Sequence, residues 1–163
     1  AGCTVNPKGQ DRLKEYIEMI KNNKDKMISF QMEWTENSKT KCFKENEWTT
    51  RQIFDAFNVV ENDPIETSGQ YIATIIIMQK CDSVINIFKD CLDKIRKDHL
   101  IITDHYNKDQ KESFKANRWD QSIMSVARKI HGSIVMRDET YHRNFHSDAA
   151  SKIPFLATRY RYR

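Results

Sequence analysis

The spacing of apolar positions changes several times along the first half of the chain, and each change predicts a new element. Leu13, Tyr16, Ile17 and Ile20 recur at three- and four-residue steps, which puts them on one face of a helix from about Gln10 to Asn22. "MISFQMEW" then alternates and predicts a strand. Residues 35 to 46, "TENSKTKCFKEN", are too polar for either period and read as a loop, as does the opening "AGCTVNPKG". Thr49 or Thr50 is placed to cap a short helix carrying Ile53, Phe54 and Phe57, and "ENDPIETSG" is a second loop.

The run "QYIATIIIM" is β-branched, aromatic and nearly unbroken, the pattern of a strand covered on both faces, so it is expected to be the central strand. Asp82 or Ser83 then caps a helix whose buried side is Val84, Ile85, Ile87, Phe88, Leu92 and Ile95. "HLIITDHYN" is a short strand or a structured loop. Ile123, Met124, Val126, Ala127 and Ile130 return to helical spacing, with Asp120 at or next to the N-cap and Gly132 where a helix stops; "SIVM" follows as a strand. Helices alternating with strands predict an α/β layered fold, its sheet parallel or mixed.

At 163 residues, 39% of them hydrophobic, the chain is long enough for one core and too short for two, so a single domain over 1–163 is expected. No apolar run approaches membrane-spanning length and the first residues lack the form of a signal peptide, which predicts a soluble, cytoplasmic chain with no transmembrane segment. The start at Ala1 looks like the middle of something, so the domain is expected to be partial. Lys152, Arg159, Arg161 and Arg163 in the tail 151–163, which holds no acid, account for the whole net charge of +4. A neutral body argues against a general nucleic-acid binder, and no nucleic acid is expected as partner. Cys3, Cys42, Cys81 and Cys91 show neither a CxxC pair nor zinc-like spacing and are expected to be free thiols.

Four stretches, "AGCTVNPKGQDRLKEYIEMI", "FKENEWTTRQIFDAF", "IETSGQYIATIIIMQKC" and "FKANRWDQSIMSVARKIHGSIVMRDET", resemble in that order the second half of nucleotide-sugar glycosyltransferase-like proteins of the GT-A type found in bacteria and large viruses. The resemblance covers most of the chain. It implies a GT-A-like layered mixed sheet flanked by helices, of which this chain holds the second half of the domain. It also implies transfer of a sugar from a nucleotide-sugar donor to a glycan or other hydroxyl acceptor. In relatives an Asp precedes the segment similar to "AGC" and belongs to an acidic motif that binds the metal and the sugar diphosphate. A divalent metal, Mn or Mg, is thus expected, held mainly upstream of Ala1, and the fragment alone is expected to lack half of its nucleotide site.

The same family carries Arg-His-Asp-Gln-Ser where this chain has Arg118-Trp119-Asp120-Gln121-Ser122. The resemblance implies that Asp120, with Gln121 and Arg118, faces the sugar and the acceptor. A carboxylate there can take the proton of an acceptor hydroxyl, a poor nucleophile, as the new bond forms; in a retaining enzyme it would orient the donor instead. Asp120 can also cap its helix, and both roles are compatible. Trp119 stands where the family has a His, a departure that removes a titratable group and is expected to offer a sugar a stacking face instead.

Further candidates stand around this one. Thr67, Ser68, Gly69 and Gln70 lead into "YIATIIIM", where relatives bring their backbone close to the donor sugar, and Gly69 permits that approach; an ordinary polar turn is the alternative. Trp48 is either a core residue or an acceptor platform. His146, four residues after His142, is a candidate metal ligand because some GT-A enzymes take a late His; otherwise both are loop histidines. Asp104, His105 and Tyr106 form a polar cluster without a neighbouring nucleophile and fit a loop. Arg159 and Arg161, interleaved with tyrosines, are candidate diphosphate contacts. They also support a second class of function, a noncatalytic binding domain whose Arg/Tyr tail docks on nucleic acid, a membrane surface or a partner protein.

Overall fold

The computed structural model describes residues 2–36, 39–142 and 144–158, with only the backbone of Thr35, Glu36 and Thr40. The chain is mixed α/β with small mixed sheets. The strand at its centre is β2 (Met27–Gln31), flanked by β5 (Ile77–Met78), antiparallel to it, and by β6 (Ile134–Arg137), parallel to it. Alternation explains why β2 lies in the middle. Ile28 and Phe30 point to one face, where α1 (Gln10–Asn22) packs Tyr16 and Ile20 against them, with the Tyr16 and Phe30 rings edge-on at 5.8 Å. Met27 points to the other face, into a larger cluster built on α3 (Arg51–Ala56), α5 (Asp82–Lys97) and α6 (Asp120–His131). Each fully buried aliphatic or aromatic side chain here contributes about 1.5–3 kcal/mol relative to exposure, so a strand sealed on both sides outweighs its weak local propensity. No helix among the described residues is long and apolar enough to cross a membrane.

The helices predicted from the leucine–isoleucine faces run Gln10–Asn22 and Asp82–Lys97, and Gly132, at φ 94°, ends α6 as the sequence predicts. Several other expectations are corrected. "QYIATIIIM" is not the central strand. Its start lies beside the end of β2, with Tyr71 bridging Gln31 and the Ile72 amide donating to the Phe30 carbonyl; pairing then lapses until Ile77 meets Ile28 at the sheet edge. The register slips by three residues across this gap. A buried side chain fills it: the Arg128 guanidinium donates to the Ile72 carbonyl at 2.8 Å and the Ser29 hydroxyl at 3.3 Å.

The expected loop at 35–46 contains β4 (Lys39–Cys42), which forms an antiparallel hairpin with β3 (Glu33–Glu36), and opens α2 (Glu45–Trp48). Strong polarity hid this hairpin, whose two strands pair only with each other among the described residues. The opening segment is β1 (Gly2–Val5), antiparallel to β7 (Phe155–Thr158). "ENDPIETSG" holds one turn of helix, α4 (Pro64–Thr67), capped by the Asp63 side chain. For "HLIITDHYN" the structured-loop alternative holds, with a 3-10 turn at His99–Ile102 and a second, Asn107–Asp109, starting at its last residue. A last turn, α7 (Asp148–Ser151), is capped by Ser147.

Candidate functional site

Since β2 and β6 are parallel and α6 returns between them, the first turn of α6 lies at the carboxyl end of both strands. The contact is direct: the Gln121 side-chain amide reaches the Met32 sulfur at 4.0 Å, just past the end of β2. Open α/β sheets present ligands at this edge.

The turn into α6 is unusual. The Gln121 amide donates to the Arg118 carbonyl at 3.0 Å, closing a reverse turn whose second residue, Trp119, has φ 51° and ψ −113°. These are type II′ angles, which glycine fills without steric cost and a side chain strains by about 1–3 kcal/mol. Trp119 is nevertheless the N-cap residue, makes no side-chain cap bond, and is 50% exposed as a residue. Its indole N–H donates to Asp104 at 3.0 Å. Asp120 is then the first helical residue and not the cap. Its carboxylate is exposed, with no hydrogen bond or ion pair from any described residue.

Beneath this mouth lies a buried polar network that sequence reasoning missed. Glu45, with no exposed surface, accepts from Thr49 at 2.7 Å and Gln70 at 3.0 Å through one oxygen. Its other oxygen accepts from Ser125 and from the Lys129 ammonium at 2.8 Å. Gln70 extends the network upward by accepting from Gln121 at 2.7 Å. Lys129 also donates to Ser68 at 2.8 Å, and Ser125 accepts from the Tyr71 amide at 2.8 Å. The Tyr71 ring lies 5.4 Å from the Arg128 guanidinium and 5.1 Å from the Lys129 ammonium. Burial pushes Arg128 down to about 10 and lowers Lys129 as well, the neighbouring Glu45 opposing both shifts.

The other expected residues divide into those this network absorbs and those it does not. Gln121, Gln70 and Ser68 are in it, Gln70 wholly buried. Thr67 is exposed and donates to the Asp63 carbonyl. Gly69 does permit a close approach: a Cβ there would meet Gln31 Cγ at 2.8 Å and Cys42 Cβ at 3.0 Å. Trp48 sits in a stack, the Arg118 guanidinium 4.0 Å from its ring centre on one side and Phe43 edge-on at 6.0 Å on another, with its indole N–H buried and unpaired.

His146 stands elsewhere. It lines a cavity of about 710 Å³ with Thr4, Asn6 and Lys8 that no residue of the α6 mouth enters. Among the described residues no three His, Cys, Asp or Glu side chains come together as a group that could hold a cation. Arg159 and Arg161 lie outside the described residues. Compared with family models, with curated proteins and with solved structures, the chain matches none.

Proposed function

We propose that this chain is the second half of a GT-A-like domain that transfers a sugar from a nucleotide-sugar donor to a glycan or other hydroxyl acceptor, with Asp120 as the acceptor's base. The observation that carries the reading is the exposed, unpartnered Asp120 carboxylate at the carboxyl edge of the β2/β6 pair, on a turn braced from below by Gln121, Gln70 and Glu45. A base must reach a ligand proton within about 2.6–3.2 Å, and a free carboxylate on a stiff support meets that need where a capping or ion-paired one would not. In this reading Gln121 fixes the first helical turn, and Arg118, stacked on Trp48, holds the entering chain.

A divalent metal, Mn or Mg, enters through the acidic motif that the resemblance puts upstream of Ala1, where it would neutralise the diphosphate leaving group. The test uses a protein extended upstream through that motif. Calorimetry should show nucleotide-sugar binding that requires the metal; binding of none of the common nucleotide sugars, with or without metal, overturns the reading.

A further inference from the structure

We infer that the Trp119 indole is a stacking platform for a pyranose ring and that the acceptor is therefore a carbohydrate, not a lipid or a protein hydroxyl. The inference rests on the glycosyl-transfer reading only for assigning this sugar to the acceptor side, next to Asp120.

Trp119 is surplus to the fold. Of the other tryptophans, Trp48 lies under Arg118, and Trp34, exposed at 36%, still packs 4.8 Å from Phe43. Trp119 keeps half its surface in solvent on a backbone conformation suited to glycine. Its orientation is nevertheless fixed. Asp104, which accepts the indole proton, is itself held by the Asn107 side-chain amide at 3.0 Å. Asn107 accepts from the Asn117 amide at 3.3 Å, and the Asn117 side chain donates to the carbonyls of Ile101 at 2.8 Å and Thr103 at 3.0 Å. The polar stretch around Asp104 thus braces a ring two residues from the chain's own anchor, Asn117.

The chemistry around the ring narrows its ligand. An aromatic face is electron-rich and attracts polarised C–H groups, while its N–H edge is already occupied. Asp104 and Asp120, both exposed, offer acceptors for hydroxyl groups beside it. A pyranose with its axial hydrogens on one side presents both partners at once. Phosphate and sulfate groups are disfavoured by the two carboxylates. Quaternary ammonium ions are held by cages of several aromatic rings, and here one open ring is presented.

The test needs neither donor nor metal. The Trp119 indole resonance of the 15N-labelled 163-residue chain, assigned by its loss in Trp119→Phe, is followed during titration with methyl β-galactoside, methyl β-glucoside, mannitol and tetramethylammonium chloride. At least one pyranoside should give saturable shifts with a dissociation constant of roughly 1–50 mM, as expected of a small ligand on an open platform. Mannitol and tetramethylammonium should bind at least about tenfold more weakly. Affinity, followed in the variants through neighbouring amides, should fall about tenfold or more in Trp119→Ala or Trp119→Gly and no more than about threefold in Trp119→Phe, which keeps a ring. Trp119→Gly eases the turn, so the comparison survives if the alanine variant folds poorly. Absence of saturable shifts with either pyranoside up to about 100 mM, equal affinity without the ring, or tighter binding of tetramethylammonium overturns the inference. A failed calorimetric search for a donor would refute glycosyl transfer and leave this result standing, and the converse also holds.

Discussion

The Lys129 ammonium lies 2.8 Å from the Glu45 carboxylate, with 4% and 0% of the two side chains exposed. Such a pair, with both carboxylate oxygens engaged by further donors, is stable as a unit and costly to halve. Removing one member leaves the other charged and buried, a penalty of about 3–5 kcal/mol. Lys129→Met and Glu45→Gln should each lose that much in urea denaturation. The double variant should lose clearly less than the sum, and additive losses would show that the two charges are not coupled.

Thiol chemistry should divide the cysteines by position. Burial pushes the Cys91 thiol up to about 12, whereas a hydrogen bond with Ser83 lowers that of Cys81 at the head of α5. Iodoacetamide at mildly alkaline pH should modify Cys81 quickly, more slowly in Ser83→Ala, and Cys91 only after unfolding, as peptide mass spectrometry would record.

The same thiol predicts a pH dependence. Because the folded value lies above the ordinary 9.0, the stability gained by keeping Cys91 neutral is fully present below pH 9 and lost as pH rises through about 12. Arg128, pushed down to about 10, acts in the opposite sense, so its charging penalty is relieved as pH rises past that value. The difference between wild type and Cys91→Ala isolates the thiol: the stability advantage of wild type should shrink steadily above pH 9. An advantage that grew there would contradict the burial of this group.

The turn at Trp119 predicts an inverted order of stability. Glycine has no Cβ to strain at φ 51°, whereas alanine keeps the strain and loses the ring. Trp119→Gly should be about 1–2 kcal/mol more stable than Trp119→Ala, against the usual preference for alanine near a helix. Thermal unfolding of the pair decides it; equal stabilities would mean that the backbone relaxes at no cost.

Asp120 separates a catalytic role from a structural one. It is helical, exposed and unpartnered, so Asp120→Asn removes only a helix-dipole interaction of about 0.3–1 kcal/mol. In the upstream-extended protein the same change should lower the chemical step by about 10²- to 10⁴-fold, with donor binding nearly unchanged. A folded variant that keeps more than about a tenth of wild-type turnover removes the base from the reading.

How far this architecture is legible in the sequence depends on whether burial is apolar. α1, α5 and the end of α6 at Gly132 follow from periodicity because their inward faces are hydrocarbon. The network under the mouth is legible only in part. Gln121, Ser122, Ser125, Arg128 and Lys129 recur at helical spacing, but a polar stripe on a helix ordinarily faces water. What turns this one inward is Glu45, on a four-residue helix far upstream, and a buried partner so distant leaves no mark on the local pattern around Ser122 and Ser125. Trp119, Asp120 and Gln121 were singled out by resemblance, whereas the strain at Trp119 and its tether to Asp104 are tertiary facts.

The lapse in pairing after Ile72 also bears on solubility. "YIATIIIM" combines high β-propensity with no charge and no proline, the composition of a segment that adds to other chains edge to edge. In the folded protein only Ile77 and Met78 of this run pair with β2 as a regular strand, and Arg128 occupies the carbonyl of Ile72 that would otherwise continue the ladder. A long adhesive strand is thereby divided into pieces too short to template a neighbour. Arg128 is thus expected to limit self-association as well as to fill a gap, and its loss to raise the tendency to aggregate.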